Sequence, residues 1–210
     1  MVLHEILVQV LETMEIIKSI IRNILVALYQ PFWYALLLST IFMFVWHDYK
    51  SIKDAARKWI YYFKNSERFR KMFFLVFYSV MILFRTLLNR DMWMNPVLNV
   101  LGTWSLYTEK NGEMVLTTEV PENLALFIPF TILLLWAYRD KILNKISLSN
   151  VLLQSIKIVF IFSFMIEMLQ LFLRLGTWQL SDLFFNTLGG FIGGLIYWLG
   201  YKVKHRGSEL

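Results

Sequence analysis

Five of the polar side chains in residues 163–194, a mostly apolar stretch, could take part in chemistry or binding. They are two carboxylates, two carboxamides and a guanidinium: Glu167, Asp182, Gln170, Asn186 and Arg174. An ionisable group near the centre of a bilayer costs about 2.5–3.5 kcal/mol on insertion scales, so such groups are usually paired or functional. Two carboxylates could act as acid and base on a lipid-linked substrate, and the whole set could instead bind a polar headgroup.

The spacing of these residues predicts that they share two helix faces. Glu167, Gln170 and Arg174 follow an i, i+3, i+7 pattern, which places them on one face of one helix. Asp182 and Asn186 are four residues apart at the start of the next apolar stretch. Two earlier stretches carry polar residues at the same predicted depth: one ends with Arg85, Asn89 and Arg90, and the other begins with Glu122 and Asn123. We therefore expect a single polar pocket formed by Arg85, Glu122, Asn123, Glu167, Gln170, Arg174, Asp182 and Asn186.

Three roles are consistent with this pocket. It could bind a ligand that enters from the outer side of the membrane, or its charged groups could simply hold the helices together. It could also be the active site of a membrane-embedded enzyme or the binding site of a transporter. No nucleophile–base pair is readable, and the paired glycines follow no predicted strand, so they do not form a phosphate loop. Catalytic residues therefore stay unassigned.

The elements that position the pocket follow from composition. Apolar residues make up 58% of the 210 residues, too large a share for a soluble domain. Stretches long enough to cross a hydrocarbon core of about 30 Å recur. They lie at about residues 24–46, 71–88, 121–138, 155–173 and 183–201. The sequence predicts an all-α, polytopic membrane protein with about five transmembrane helices plus amphipathic interfacial helices.

Glycine pairs in the last stretch predict tight helix packing. Overlapping GxxxG patterns let a neighbouring backbone approach closely. We expect this packing at Gly189, Gly190, Gly193 and Gly194.

Three further segments carry a local pattern. An apolar stripe over residues 3–28 predicts an interfacial helix that leads into the first span, with a coiled-coil dimer as the alternative. A similar stripe over residues 52–63 lies among lysines and predicts a second surface helix. Asn111-Gly112 between alternating apolar residues predicts a β-hairpin that places Lys110 opposite Glu113.

The charge distribution predicts the orientation. Lysine and arginine concentrate in residues 50–71, 139–145 and 202–206, whereas residues 89–120 are acidic. Because cytoplasmic loops collect basic residues, we expect the N-terminus outside and the C-terminus in the cytoplasm. Aromatic belts agree, with Trp46, Tyr49, Trp136, Tyr138, Trp198 and Tyr201 at the inner boundary and Trp33, Trp93 and Trp178 at the outer one. The basic residues flank membrane segments, so anionic lipid headgroups are nearer partners than nucleic acid.

Several kinds of site are not expected. The chain has no cysteine, which excludes disulfides and thiolate ligands. The start resembles HExxH, but Val8 stands where the second histidine belongs, and His4, His47 and His205 lack ligand spacing. We therefore expect no metal and no cofactor. The N-terminal residues also lack a basic region and a cleavage site, so no cleaved signal peptide is expected.

Three elements in order resemble the VanZ-like family of small bacterial membrane proteins. The family pattern runs N-(I/L)-x-x-F-x-P, then E-x-x-Q, then D-x-x-x-N-T-x-G. The matching segments are NLALFIP at 123–129, EMLQ at 167–170 and DLFFNTLG at 182–189. The resemblance covers about residues 75–200. Two departures stand out: Thr131 replaces a usual glycine, and Gly176 to Gln179 replace an arginine and an aspartate common before the last element.

The resemblance implies a link to resistance against teicoplanin and related lipoglycopeptides in the cell envelope. It divides the chain into residues 1–70, with the amphipathic helix, first span and basic helix, and residues 71–210, a four-span core with a hairpin near 103–120. The favoured interpretation is a pocket in the outer leaflet that binds the drug or a lipid-linked wall precursor. The alternatives are an enzyme or transporter for a lipid-linked wall intermediate and a structural partner of another membrane protein. The oligomeric state stays open.

Overall fold

The computed structural model describes residues 2–45, 51–92, 94–110 and 112–205, and most of them are helical. The helices are α1 (Val2–Tyr29), α2 (Phe32–Val45), α3 (Ile52–Asn65), α4 (Glu67–Leu83), α5 (Glu119–Ile142), α6 (Leu148–Leu173) and α7 (Leu180–His205). A π-helical turn, Phe84–Leu88, continues α4. Two short strands, β1 (Tyr107–Lys110) and β2 (Glu113–Leu116), precede α5.

Within the described ranges, five helical segments are long and apolar enough to cross a membrane. They are Gln9–Val45, Glu67–Leu88, Glu119–Ile142, Leu148–Leu173 and Leu180–His205. This confirms the predicted fold class. The last four extend beyond the predicted stretches because polar residues at the helix ends stay helical, whereas hydropathy marks only the apolar middle of each span.

The first predicted span contains a helix break. α1 ends at Tyr29 and α2 begins at Phe32, inside the predicted stretch 24–46. Pro31 has no N–H to donate to the preceding turn, so the α1 ladder cannot continue through it. The Pro31 carbonyl then accepts the Ala35 N–H at 2.8 Å and starts α2. The amphipathic segment over residues 3–28 is helical as predicted, and its last turns, around Leu28, pack against α5.

One face of α7 contacts α5 through two glycines. A Cβ added at Gly189 would lie 2.6 Å from the Leu124 carbonyl oxygen, and one at Gly193 would lie 2.5 Å from the Ile128 carbonyl oxygen. These contacts leave no room for any side chain. Thr131, which stands where the VanZ-like pattern usually has glycine, is fully buried and faces Gly193. The missing side chain of Gly193 leaves room for it.

The adjacent face of α7 contacts α6 through the other two glycines. A Cβ at Gly190 would lie 2.6 Å from Val159, and one at Gly194 would overlap Ser155. The numbers of the contacting residues rise together along α5 and α7, so these two helices are parallel. Along α6 and α7 they run in opposite order, so these two helices are antiparallel. The last helix therefore packs between a parallel and an antiparallel neighbour.

Aromatic residues join the remaining helices. α2 runs along α4, and its Met43 packs with Phe69 and Phe73 of α4. α3 is helical as predicted, and its Trp59 stacks on Phe63 at 5.0 Å and meets the same cluster. We call the end of the bundle where α5 and α7 begin the pocket end, and the opposite end the basic end.

The segment between α4 and α5 contains the predicted hairpin. β1 and β2 are antiparallel, and the Cα register pairs Lys110 with Glu113 as expected. Gly112 has a φ of +84°, a conformation that favours glycine at this turn. Five residues named in the sequence analysis lie outside the described residues: Trp46, His47, Tyr49, Trp93 and Asn111.

Candidate functional site

Hydrogen-bonded polar side chains form a buried layer near the pocket end. Asn123 Nδ2 on α5 donates to Asp182 Oδ1 on α7 at 2.7 Å. Gln170 Nε2 on α6 donates to the Thr86 carbonyl oxygen at 2.7 Å, in the π-helical turn. The π-helical turn after α4 and the helices α5, α6 and α7 thus all contribute to one layer. We define the buried layer as Asn123, Ser163, Glu167, Gln170, Asp182 and Asn186, all of which are buried.

Glu167 is only 2% exposed and binds the backbone rather than an arginine. Its Oε2 accepts the Gln179 N–H at 3.1 Å, immediately before α7 begins. No ion pair of Glu167 is found among the described residues. The carboxylate therefore fixes the start of α7, which in turn sets the position of Asp182 and Asn186.

The layer is not fully satisfied at its deep side. Asn186 Nδ2 donates to Ser163 Oγ at 2.9 Å, but within the described part of the chain Asn186 Oδ1 and Gln170 Oε1 lack a hydrogen-bond partner. An unpaired buried carbonyl oxygen costs free energy. These amides therefore place polar atoms one to two turns below the surface of the bundle.

A polar cavity of about 590 Å³ lies directly above this layer. Its lining includes both ends of an ion pair, Arg85 to Glu122, whose Nη2 and Oε2 are 2.7 Å apart. Arg90 also lines it and approaches Asp182 at 3.9 Å. The two arginine side chains are 32% and 31% exposed, so each faces the cavity while keeping a carboxylate neighbour.

One side of the cavity is tied to α1. Thr118 Oγ1 donates to Glu122 Oε1 at 2.6 Å and accepts from Asn23 Nδ2 at 2.9 Å. On the adjacent side, Asn89 Nδ2 donates to Gln30 Oε1 at 3.0 Å, beside the break between α1 and α2. Asn23 of α1 and Gln30 of the α1–α2 break thus hold two of the residues that line the cavity.

The long segment after α4 covers the site through backbone hydrogen bonds. The Gly176 N–H donates to the Asp91 carbonyl at 3.0 Å, and the Trp178 N–H donates to the Pro96 carbonyl at 2.8 Å. A few residues later, the Leu180 N–H donates to the Val100 carbonyl at 2.8 Å. Because the described parts of this segment are fixed to the α6–α7 connection, Asn89, Arg90, Asp91, Leu98 and Asn99 form one wall of the cavity.

The structure separates the predicted site residues into three groups. Arg85 and Glu122 line the cavity, Glu167, Gln170, Asp182 and Asn186 lie in the buried layer below it, and Asn123 belongs to both. Arg174 belongs to neither group. Among the described residues, it does not line this cavity, and its side chain is exposed at the end of α6.

The placement of Arg174 corrects the expected helix face. The i+7 spacing assumed that α6 continues, but Arg174 is its C-cap and has a left-handed φ of 56°. Once the helix ends, helical periodicity no longer predicts direction.

Sequence reasoning missed most of the cavity wall. The missed lining residues include Asp91, Asn99, Thr118, Glu119, Thr177 and Gln179. They lie at helix ends or in connections, where no periodic pattern exists. Asn89 and Arg90, which were expected at this depth, also line the cavity.

The arrangement can bind a ligand that carries both acceptors and donors. Two partly exposed guanidinium groups suit a phosphate or carboxylate, and the surrounding carboxylates and amides suit hydroxyl or N–H groups. Among the described residues, no group of three His, Asp or Glu side chains is placed to hold a metal ion.

The fold and site together define a polytopic α-helical membrane protein with a polar cavity at one end of its bundle. A model of the VanZ/LLP1 family matches residues 4–201, nearly the whole chain. The chain therefore belongs to the VanZ/LLP1 family. No curated protein and no solved structure matches it.

Proposed function

We propose that this protein lowers susceptibility to teicoplanin-type lipoglycopeptides by binding, in the polar cavity, either the drug or a lipid-linked cell-wall precursor. The carrying observation is that Arg85 and Arg90 both face the cavity with about a third of each side chain exposed. Membership of the family supports the link to resistance.

The chemistry of the cavity supports a headgroup that combines anionic and hydroxyl groups. A pyrophosphate joined to sugar, or a glycopeptide with a carboxylate and sugars, offers both. Apolar residues face outward on the neighbouring helices, for example Phe172 on α6 and Trp33 on α2. An acyl or polyprenyl chain could follow these surfaces into the bilayer while its headgroup stays in the cavity.

Catalysis receives less support than binding. The two carboxylates considered as acid and base, Glu167 and Asp182, lie in the buried layer, and neither lines the cavity in the described part of the chain. A general acid or base must reach its substrate within hydrogen-bond distance. Among the carboxylates that line the cavity, Glu122 already accepts hydrogen bonds from Arg85 and Thr118.

The proposal requires the cavity to face the outside of the cell. The positive-inside rule supports this, because the acidic segment 89–120 is at the pocket end and the lysine-rich α3 follows a span leading to the other end. Cysteine labelling in this cysteine-free chain tests it. An impermeant thiol reagent applied to intact cells should label Glu113→Cys in the hairpin and leave Ala56→Cys in α3 unlabelled. The opposite pattern would contradict the orientation.

A susceptibility assay tests the function. Cells expressing Arg90→Gln should lose most of the protection against teicoplanin, because the cavity loses a guanidinium. Arg174→Gln is the matched control, since it removes the same charge from the same end but outside the cavity. Equal loss of protection in both variants, or in neither, would reject the cavity as the functional site.

A further inference from the structure

A second site lies at the basic end, far from the polar cavity. A crevice of about 610 Å³ separates α4, α5 and α7 there, and a neighbouring cavity of about 580 Å³ adjoins it across Lys71. No described residue lines both the crevice and the polar cavity. Binding in the crevice is therefore independent of the function proposed above.

The lining changes character in the same order along two helices. On successive turns towards the basic end, each helix presents an aliphatic side chain, then an aromatic residue or glycine, then a cation. These residues are Ile132, Trp136 and Arg139 on α5, and Ile196, Gly200 and Lys204 on α7. Trp136 and Ile196 are exposed, so the apolar end of the crevice meets the hydrocarbon region. This order matches the sequence from acyl chain to glycerol to phosphate in a phospholipid.

The cations are held over aromatic rings. Lys71 Nζ lies 5.3 Å from the centre of the Trp136 ring, and the Arg139 guanidinium lies 5.9 Å from that of Tyr201. Their carboxylate partners, Glu67 and Asp140, are 64% and 83% exposed and are therefore strongly screened by water. The aromatic rings hold the cations in place, and a phosphate can compete with the exposed carboxylates for them.

Charge and space both favour an anionic headgroup. Among the described residues, the two adjoining cavities are lined by five lysines and arginines and by two carboxylates: Arg68, Lys71, Arg139, Lys141 and Lys204 against Glu67 and Asp140. At Gly200 an added Cβ would meet no described atom within 4 Å. By contrast, an added Cβ at Gly193, two turns earlier, would clash with backbone. Gly200 thus leaves open space within the crevice.

We propose that this crevice binds an anionic phospholipid of the leaflet at the basic end. The phosphate would lie among Lys71, Arg139 and Lys204, and the upper acyl chain would pass Trp136 and Ile196. Basic pockets between transmembrane helices suit phosphate headgroups in this way.

Native mass spectrometry of the purified full-length protein in a neutral detergent tests the proposal. The protein should retain phosphatidylglycerol in preference to phosphatidylcholine. Gly200→Phe should reduce phosphatidylglycerol retention at least tenfold without changing the thermal melting of lipid-free protein, because the ring fills the open space. Lys204→Gln should weaken binding about fivefold, the contribution of one cation near an anionic lipid.

Lys202→Gln is the matched control. Lys202 lies two residues from Lys204, with its Nζ 4.7 Å from the centre of the Trp198 ring, and does not line the crevice. Its variant should retain phosphatidylglycerol as the original protein does. Equal losses in Lys202→Gln and Lys204→Gln would overturn the proposal, whether or not Gly200→Phe folds. Displacement of the lipid by millimolar inorganic phosphate would also overturn it in favour of a soluble anion.

Discussion

The buried layer and the polar cavity adjoin each other, yet they satisfy their polar groups in different ways. In the layer, side chains such as Asn123 and Asp182 bond to one another and are almost completely buried. In the cavity, Arg85 and Arg90 have carboxylate neighbours but keep about a third of their surface free. The difference indicates that the layer stabilises the helix bundle and that the cavity is available to a ligand.

The comparison predicts that changes below the cavity affect stability and that changes in its wall affect binding. The amides and carboxylates of the three family motifs all belong to the layer, although Asn123 also lines the cavity. Arg85, Arg90 and Glu122 of the wall lie outside these motifs.

The largest expected effect is on the packing beneath the layer. Gly193→Leu would force α5 and α7 apart, because the new Cβ meets the Ile128 carbonyl oxygen and Thr131. We expect a loss of about 3 kcal/mol or more in unfolding free energy, at the upper end for an overpacked core. A thermal or denaturant melt in detergent measures it. Gly200→Leu on the same helix should melt normally, and equal tolerance of both changes would remove the glycine contacts from the account.

A smaller effect is expected at Glu167. Glu167→Ala removes the acceptor of the Gln179 N–H and leaves a buried donor unsatisfied, which costs about 1–3 kcal/mol. Glu167→Gln keeps an acceptor oxygen and should change stability by less than about 1 kcal/mol, because no arginine is left unpaired. Both variants are compared by melting, with teicoplanin susceptibility as the second readout. Full stability of Glu167→Ala would show that the layer does not hold the start of α7.

The smallest effect on stability is expected in the cavity wall. Arg85→Gln breaks a partly exposed ion pair with Glu122, which contributes no more than about 1 kcal/mol. Ligand affinity should nevertheless fall about tenfold, the contribution of one charge-assisted hydrogen bond. If Arg85→Gln instead lowers the melting temperature and leaves ligand affinity unchanged, Arg85 stabilises the bundle and the distinction between wall and layer is wrong.

The sequence predicts the layer much better than the cavity. Glu167 and Gln170 share a helix face, as do Asp182 and Asn186, and helical spacing is enough to bring these residues together. The predicted helix face of Arg174 was wrong because α6 ends at Leu173. Position 174 is not a glycine, so the sequence does not mark the left-handed cap.

The cavity wall depends on contacts between distant segments. Gly176 and Asp91 meet through backbone hydrogen bonds, which depend on tertiary structure rather than on side-chain type. The break at Pro31 was readable in principle, since proline ends a helix, but strong hydropathy on both sides concealed it. Spans, glycine contacts and the hairpin were accessible because each depends on local spacing.

Direct binding to purified protein in phosphatidylcholine nanodiscs tests the central claim most directly. Teicoplanin and undecaprenyl pyrophosphate would be titrated separately against the original protein, Arg90→Gln and Arg174→Gln. The account predicts that at least one of the two probes binds, that Arg90→Gln weakens it about tenfold, and that Arg174→Gln leaves it unchanged. Failure of both probes to bind a correctly folded protein, or equal affinities in all three proteins, would contradict the assignment of the cavity as a binding site.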